Sequence, residues 1–248
     1  IFGPGDGEQA CGDIGLGRML EPKQLLEICA ELFETGQLAG RHFVITGGPT
    51  REALDPVRFI SNHSSGKMAY ALAAEAVAAG AKVTLISGPV ALQTPDRVNR
   101  VDIVSAEEML QATLEHISDC DVFIGVAAVA DYRPAQVEAL KIKKSDEQMQ
   151  LTLVKNPDII SEVAKLTPKP FVVGFAAETN DIVSHGKQKL ERKNLDMLFA
   201  NNATDTFNND SVLVTALTAT SEQELGAGNK NVVARDMLQL IASALNNK

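Results

Sequence analysis

Cysteine is scarce. Cys11, Cys29 and Cys120 are the only three in 248 residues, and no C-x-x-C pair occurs. An odd, scattered set argues against a disulfide framework and against a structural zinc site, and it fits a reducing compartment. No hydrophobic run approaches the about 18 apolar residues of a membrane-spanning helix, and no signal peptide is legible. A membrane partner is therefore not expected, and the cytoplasm is the expected location. Positive charge is in deficit, with 23 Lys and Arg against 32 Asp and Glu and a net charge of −9. A chain so acidic is a poor general binder of nucleic acid. Any anion must be met by a local cluster of lysines.

Familiar catalytic motifs are missing as well. There is no H-E-x-x-H, no other metal-ligand cluster, and no Ser/His/Asp or Cys/His pair that spacing alone nominates. A dinucleotide fingerprint needs G-x-G-x-x-G running straight into a helix. Here the strand ends at Thr46, but helical pattern resumes only near Ser65. A Walker A loop would need Gly where Ser61 stands and Ser or Thr where Met68 stands.

What remains is an ordinary globular composition, 45% hydrophobic and 22% charged. At roughly 100–200 residues per domain, the length suggests one large domain or one domain plus an appendage, long enough to bury a core without covalent staples. The first residue is Ile1, so the chain is read as a piece of something longer. Residues 1–20 hold six glycines and no periodicity, and read as a loop. Glu21 and Pro22 open a helical pattern in which Leu25, Leu26, Ile28, Cys29, Leu32 and Phe33 share a face, with Gly36 as its stop and a boundary near Gly40.

Beyond Gly40, strand and helix patterns alternate. Strands are predicted at 42–46, 82–87, 100–104, 121–126, 149–154, 171–175, 197–200 and 211–219. Helices are predicted at 66–79, 106–118, 157–166, 182–193 and 232–245. This order predicts an α/β, Rossmann-like three-layer fold with a mostly parallel sheet and helices on both faces. Ligands of such sheets bind beyond the carboxyl ends of the strands, so the loops after Thr46, Val126 and Phe175 are the informative ones. The Lys-rich segment 132–148 is a candidate flap.

Five constellations stand out, each with a plain alternative. Ser64, Ser65, Gly66 and Lys67 open a helix, whose free amides and dipole favour an anion; an ordinary Ser cap would look the same. Arg51, Asp55, Arg58, Asn62 and His63 share the preceding loop, where polar residues are usually just solvated. Ala127–Tyr132 puts small residues and Asp131 at a strand end, where a flat ligand could lie or a helix could pack. Lys141, Ile142, Lys143 and Lys144 put Lys141 and Lys143 on one face if extended; they could offset charge on a phosphoryl group or protect a sheet edge. Lys155-Asn156-Pro157-Asp158 reads as a turn with Asn156 as helix cap and Pro157 at the first helical position. Finally, Gly174–Thr179 precedes a helix on which Lys189 and Lys193 share a face.

Taken in order, GGPTREALDPVRFISNHSSGKM (47–68), AAVADYRP (127–134), KIKK (141–144), LVKNPDI (153–159), VGFAAET (173–179) and KNLDMLFAN (193–201) closely resemble the bacterial phosphopantothenate–cysteine ligase family of coenzyme A biosynthesis. The resemblance runs from about Arg41 to the C-terminus and loosens over 203–211. Gly48 stands where the family more often has Ala. Residues 9–19, QACGDIGLGRM, resemble the active-site flap of phosphopantothenoylcysteine decarboxylase, which is commonly fused ahead of the ligase. By that resemblance 1–20 is a decarboxylase remnant, with Cys11 matching its proton donor. Residues 21–40 are a linker helix and 41–248 the ligase domain. FMN would belong only to the decarboxylase part.

The resemblance implies a two-step reaction using CTP with Mg²⁺, 4′-phosphopantothenate and L-cysteine, through an acyl-cytidylate. It also implies a homodimer and a fused decarboxylase partner. It gives Asn62 and Arg58 the acyl carbonyl and the phosphates, Ala128 a backbone contact, and Lys141 the transferred nucleotidyl group. Ser64, Ser65 and Gly66 would hold phosphate; Asp131, Phe175, Lys189 and Lys193 would contact the nucleotide. Metal ligands are not assigned. Competing readings are an NAD(P)- or flavin-binding oxidoreductase and a non-catalytic nucleotide-binding module, which fold alone does not separate.

Overall fold

A computed structural model describes residues 3–9, 11–32, 36–143, 149–178, 181–202 and 211–246. Phe33 of the expected first helix, Lys144, Thr179 and the loosely matching stretch 203–210 lie outside the described residues.

The centre is an eight-stranded sheet. Its parallel strands are β3 (His42–Gly47), β6 (Lys82–Ser87), β7 (Val98–Asp102), β8 (Val122–Gly125), β11 (Phe171–Glu178) and β12 (Met197–Asn202). Two antiparallel strands, β13 (Ser211–Leu217) and β14 (Glu222–Asn229), extend the β12 edge. The spatial order is β14-β13-β12-β11-β8-β3-β6-β7. Numbered by their own succession, the six parallel strands run 3-2-1-4-5-6, the order of doubly wound dinucleotide-binding sheets.

Alternation along the strands builds two cores. Phe43 and Ile45 face one side, where α2 (Lys67–Ala78) and α6 (Lys230–Asn246) pack through Ala69, Leu72, Ala76, Val233, Met237 and Ile241. Val44, Phe123, Val172 and Leu198 face the other, beneath α3 (Ala106–His116), α4 (Ile159–Val163) and α5 (Ile182–Arg192). All six residues of β3 are buried, as a parallel strand covered on both faces requires. The expected three-layer α/β architecture is therefore the one observed. The core already includes Leu38, whose amide donates to the Ala79 carbonyl at 3.0 Å. Among the described residues no helix is long and apolar enough to cross a membrane.

Several elements differ from expectation. Residues 5–18 are not a plain loop: β1 (Gly5–Glu8) and β2 (Ile14–Arg18) pair antiparallel. The glycines leave no side-chain pattern to read, and the ladder is made by backbone alone. The first helix, α1, runs Pro22–Leu32. The strand expected at 100–104 begins two residues earlier, and the helix expected at 157–166 shrinks to five residues. Four short or polar strands escape the sequence pattern: β4 (Arg51–Ala53) paired with β5 (Phe59–Ser61), β9 (Tyr132–Pro134), and the edge strand β14, in which Leu225 is the buried apolar residue. β9 pairs with β10 (Leu153–Lys155), to which the strand expected at 149–154 shortens. The β9–β10 pair closes the base of the Lys-rich excursion.

Helix α2 lies so close to β3 that a β-carbon on Gly47 would stand 2.4 Å from the Ala69 methyl. Gly47→Ala is predicted to destabilise the fold by about 1–3 kcal/mol through overpacking. Gly226→Ala, which meets nothing within 4 Å, should stay within about 0.5 kcal/mol. Denaturant unfolding of the two variants checks this; equal stabilities would contradict the packing.

Candidate active site

β3 and β8 are neighbours whose following helices cover opposite faces of the sheet, so their carboxyl ends border a crevice. The loops leaving them are stitched together. Pro49 bridges Ala128. The Ala128 amide donates to the Gly48 carbonyl at 2.9 Å, and the Thr50 amide donates to the Ala128 carbonyl at 3.4 Å. The Ala130 amide donates to Thr50 Oγ1 at 3.0 Å, and Asn62 Nδ2 donates to the Val129 carbonyl at 3.0 Å. Residues 127–131 thus form a rigid wall of small side chains. Both polar backbone atoms of Ala128 are hydrogen-bonded within that wall.

Beyond the ends of β8 and β11 lies a cleft of about 570 Å³. Of the residues nominated from the sequence, Ala128, Asp131, Phe175, Lys189 and Lys193 line it together. Phe175 is braced by Phe199, ring centroids 5.5 Å apart. Gly125 and Gly174 make room for Ile160: β-carbons there would stand 3.1 and 3.2 Å from its Cδ1. Lys189 and Lys193 lie one turn apart at the end of α5, where cations complement the helix dipole. Lys189 Nζ donates to the Phe175 carbonyl at 3.1 Å. Lys193 Nζ pairs with Asp158, at 2.8 Å to Oδ2 and 3.0 Å to Oδ1. The Asp131 side chain is exposed. With Lys155, three lysines face two aspartates in the lining, a local positive balance on an acidic chain.

The stretch Lys155–Ile160, most of it read from the sequence only as a turn, lines the cleft as well and adjoins Ala130 and Asp131. Its caps are not as expected. Asp158, not Asn156, caps α4, its Oδ1 accepting from the Ser161 amide at 3.4 Å. Asn156 is drawn away across the cleft wall: its Nδ2 donates to the Ala130 carbonyl at 2.8 Å and its amide to the Asp131 carbonyl at 2.9 Å. Arg133 Nη1 donates to Asn156 Oδ1 at 3.2 Å. A strand-end position after Val154 was the signal that could have singled out this stretch.

The other nominated residues stand outside the cleft lining. Asn62 reaches it through Val129. Ser64 and Ser65 precede Gly66, the left-handed cap of α2 (φ 74°), and no side chain caps that helix. The Ser64 hydroxyl instead accepts from the Gly66 amide at 3.3 Å. Arg58 pairs with buried Asp55 at 2.9 Å. Lys141 is exposed on the segment before residue 144. Cys11 lies between β1 and β2, exposed, with Sγ 3.6 Å from Asp13 Oδ2. Among the described residues no group of three His, Cys, Asp or Glu side chains could hold a metal.

Burial pushes the Asp158 carboxyl upward, but hydrogen bonds from Lys193 and Ser161 and the Lys193 charge outweigh it and hold it below its ordinary value. A value lowered on folding stabilises above the unfolded pKa, near about 3.9, and that stabilisation is lost as pH falls through the folded value. The pair is intact at neutral pH. Carboxyl NMR should place Asp158 below the ordinary aspartate value, and Lys193→Met should move its midpoint up; an unmoved midpoint would contradict the pairing.

Comparison with known proteins places this geometry. The family described as "DNA/pantothenate metabolism flavoprotein C-terminal domain" matches residues 38–245. The chain is 49% identical over 251 residues to the coenzyme A biosynthesis bifunctional protein CoaBC of Vibrio vulnificus (strain CMCP6), covering 99% of this chain and 63% of that protein. It is 45% identical over 256 residues to CoaBC of Escherichia coli (strain K12), covering 100% of this chain and 63% of that protein. It therefore spans under two thirds of the length of these relatives. The crystal structure of a CoaBC C-terminal domain superposes with a TM-score of 0.75 at 39% identity, covering 86% of this chain and 100% of that one. The chain belongs to the DNA/pantothenate metabolism flavoprotein C-terminal domain family.

Proposed function

We propose that the chain is a phosphopantothenate–cysteine ligase that uses CTP, acting in coenzyme A biosynthesis. The observation that carries this reading is the gathering of Asp131, Phe175, Lys189 and Lys193 around one cleft at the switch point of the sheet. An aromatic ring, an acceptor and a local excess of lysine suit a nucleoside triphosphate. The fused bifunctional relatives named for coenzyme A biosynthesis support the pathway; the choice of CTP rests on the sequence resemblance.

In the proposed first step, a carboxylate oxygen of 4′-phosphopantothenate forms a bond to the α-phosphorus of CTP, and the bond to the β-phosphate breaks, releasing pyrophosphate. The product is an acyl-cytidylate. In the second, the cysteine nitrogen bonds to the acyl carbon, the bond to the CMP oxygen breaks, and the ammonium proton passes to solvent. A carboxylate resists attack at neutral pH, and the mixed anhydride supplies the leaving group. The first step crowds anions, so its barrier falls where fixed cations meet the charge that develops. In this reading Lys189 and Lys193 meet the nucleotide, and Lys141 meets the nucleotidyl group as it transfers. Ser64, Ser65 and Gly66, beside the amides of α2, are a phosphate seat for the second substrate. Asn62 braces the wall at Val129.

Magnesium takes oxygen ligands and commonly completes its shell with water and phosphate. In this reading the ion is carried in on the triphosphate, and Asp131 is the lining carboxylate that would hold it. When bound, the ion would neutralise phosphate charge. A homodimer in the cytoplasm, with a fused decarboxylase partner in which Cys11 would serve, completes the proposed reading.

The oxidoreductase alternative is disfavoured by the sequence, in which no G-x-G-x-x-G runs from a strand straight into a helix.

Pyrophosphate release is the test, with Mg²⁺, CTP or ATP, with and without 4′-phosphopantothenate and cysteine. CTP-specific release that requires phosphopantothenate, with CMP release accelerated by cysteine, is expected. Equal rates with ATP would overturn the nucleotide, and silence from folded protein would favour the non-catalytic module. Lys141→Gln should cut pyrophosphate release by at least about a hundredfold. Asn62→Asp, which sets an oxygen against the Val129 carbonyl, should impair turnover at unchanged fold; wild-type rates would remove Asn62 from the site.

A further inference from the structure

The side chain of Asp55 has no exposure to solvent, and it lies outside the cleft. It is nonetheless saturated with donors. Oδ1 accepts from the amides of Val57 at 2.7 Å and Arg58 at 2.8 Å. Oδ2 accepts from Arg58 Nη1 at 2.9 Å and from the amide of Ile142 at 3.1 Å. Arg58 Nη1 also donates to the Ile142 carbonyl at 3.3 Å. The ion pair therefore grips a single distant residue by both of its backbone polar atoms. A further bond, from the Glu138 amide to the Leu54 carbonyl at 2.9 Å, lays the same segment along the β4–β5 hairpin. Burial would raise the Asp55 carboxyl, but the amides of Val57, Ile142 and Arg58 and the Arg58 charge outweigh it and keep it below the ordinary range, so the clasp is charged at neutral pH.

Ile142 is half-buried, while Lys141 and Lys143 on either side are exposed. One peptide is pinned so that its two neighbours project from a fixed base. We propose that the Asp55–Arg58 pair is a latch that positions Lys141 by holding the backbone of Ile142, and that Arg58 acts through this latch and not by touching the phosphates. The inference rests on the ligase reading for what Lys141 does, but not for how it is held. Reach is what a long flexible lysine lacks, and fixing the backbone one residue away reduces the freedom lost when it meets a transferring group. Asp55 and Arg58 are positioning residues in this account.

The test uses the full chain and two readouts. Trypsin cuts after lysine and arginine, and local opening governs its rate in folded protein. In Asp55→Asn, cleavage after Lys141 and Lys143, mapped by mass spectrometry, should accelerate about tenfold, while cleavage after Arg97 in an exposed loop stays at the wild-type rate. In pyrophosphate release, kcat should fall about ten- to a hundredfold, with KM for CTP changed less than about threefold. Because the latch works through Lys141, Asp55→Asn/Lys141→Gln should be no slower than Lys141→Gln alone. Unchanged cleavage at Lys141 and Lys143, or a double variant slower by the full Asp55→Asn factor, would overturn the proposal. If Asp55→Asn does not fold, Arg58→Gln, at a half-exposed side chain, carries the same expectations. If the wild-type protein releases no pyrophosphate, the ligase reading fails while the cleavage comparison still decides the latch.

Discussion

The structure depends on one constraint: β3 and β8 run side by side, parallel and buried on both faces, and the chain leaves them for opposite sides of the sheet. Burial on both faces forces their apolar residues into two separate cores, Phe43 and Ile45 into one and Val44 and Phe123 into the other. The divergence of the connections opens the crevice at their carboxyl ends. Asp131, Phe175, Lys189 and Lys193, which line the cleft, are delivered there by the end of a parallel strand or the helix after one. Asp131 follows β8, Phe175 lies in β11, and Lys189 and Lys193 close α5.

The crevice is asymmetric. On the β3–β6 side, Gly47, Gly48, Gly66 and Gly88 bring backbone and side chains into contact. On the β8–β11 side, Gly125 and Gly174 are spent on seating Ile160 and α4, which leaves the cleft above them. The same residue type tightens one half and shapes the other, and in the proposed reading a single nucleotide occupies the second.

The layer architecture was legible in the sequence because it is written in apolar periodicity: His42–Thr46, Lys82–Ser87 and Asp121–Val126 alternate with Ala-rich or amphipathic helical stretches. Elements without side-chain contrast were not legible. Glycine hides the β1–β2 ladder, and β14 buries little more than Leu225. Lys189 and Lys193 were readable as a pair because helical spacing fixes their common face. Asp158 was not, because a cap depends on which way Asn156 turns, and Asn156 is taken by Ala130 and Asp131, 26 and 25 positions earlier in the chain. Asp55 was visible only as one polar loop residue among several. Its partner Ile142 is 87 positions away, and no local pattern carries that distance.

The most direct test of the central claim is a crystal structure of the protein with CTP and Mg²⁺. The account predicts the triphosphate and cytidine in the cleft lined by residues 127–131 and 155–160, within reach of Lys189 and Lys193 and beside Phe175. Nucleotide seated over Gly47, Gly48 and Gly88 instead, on the β3–β6 side, would contradict it.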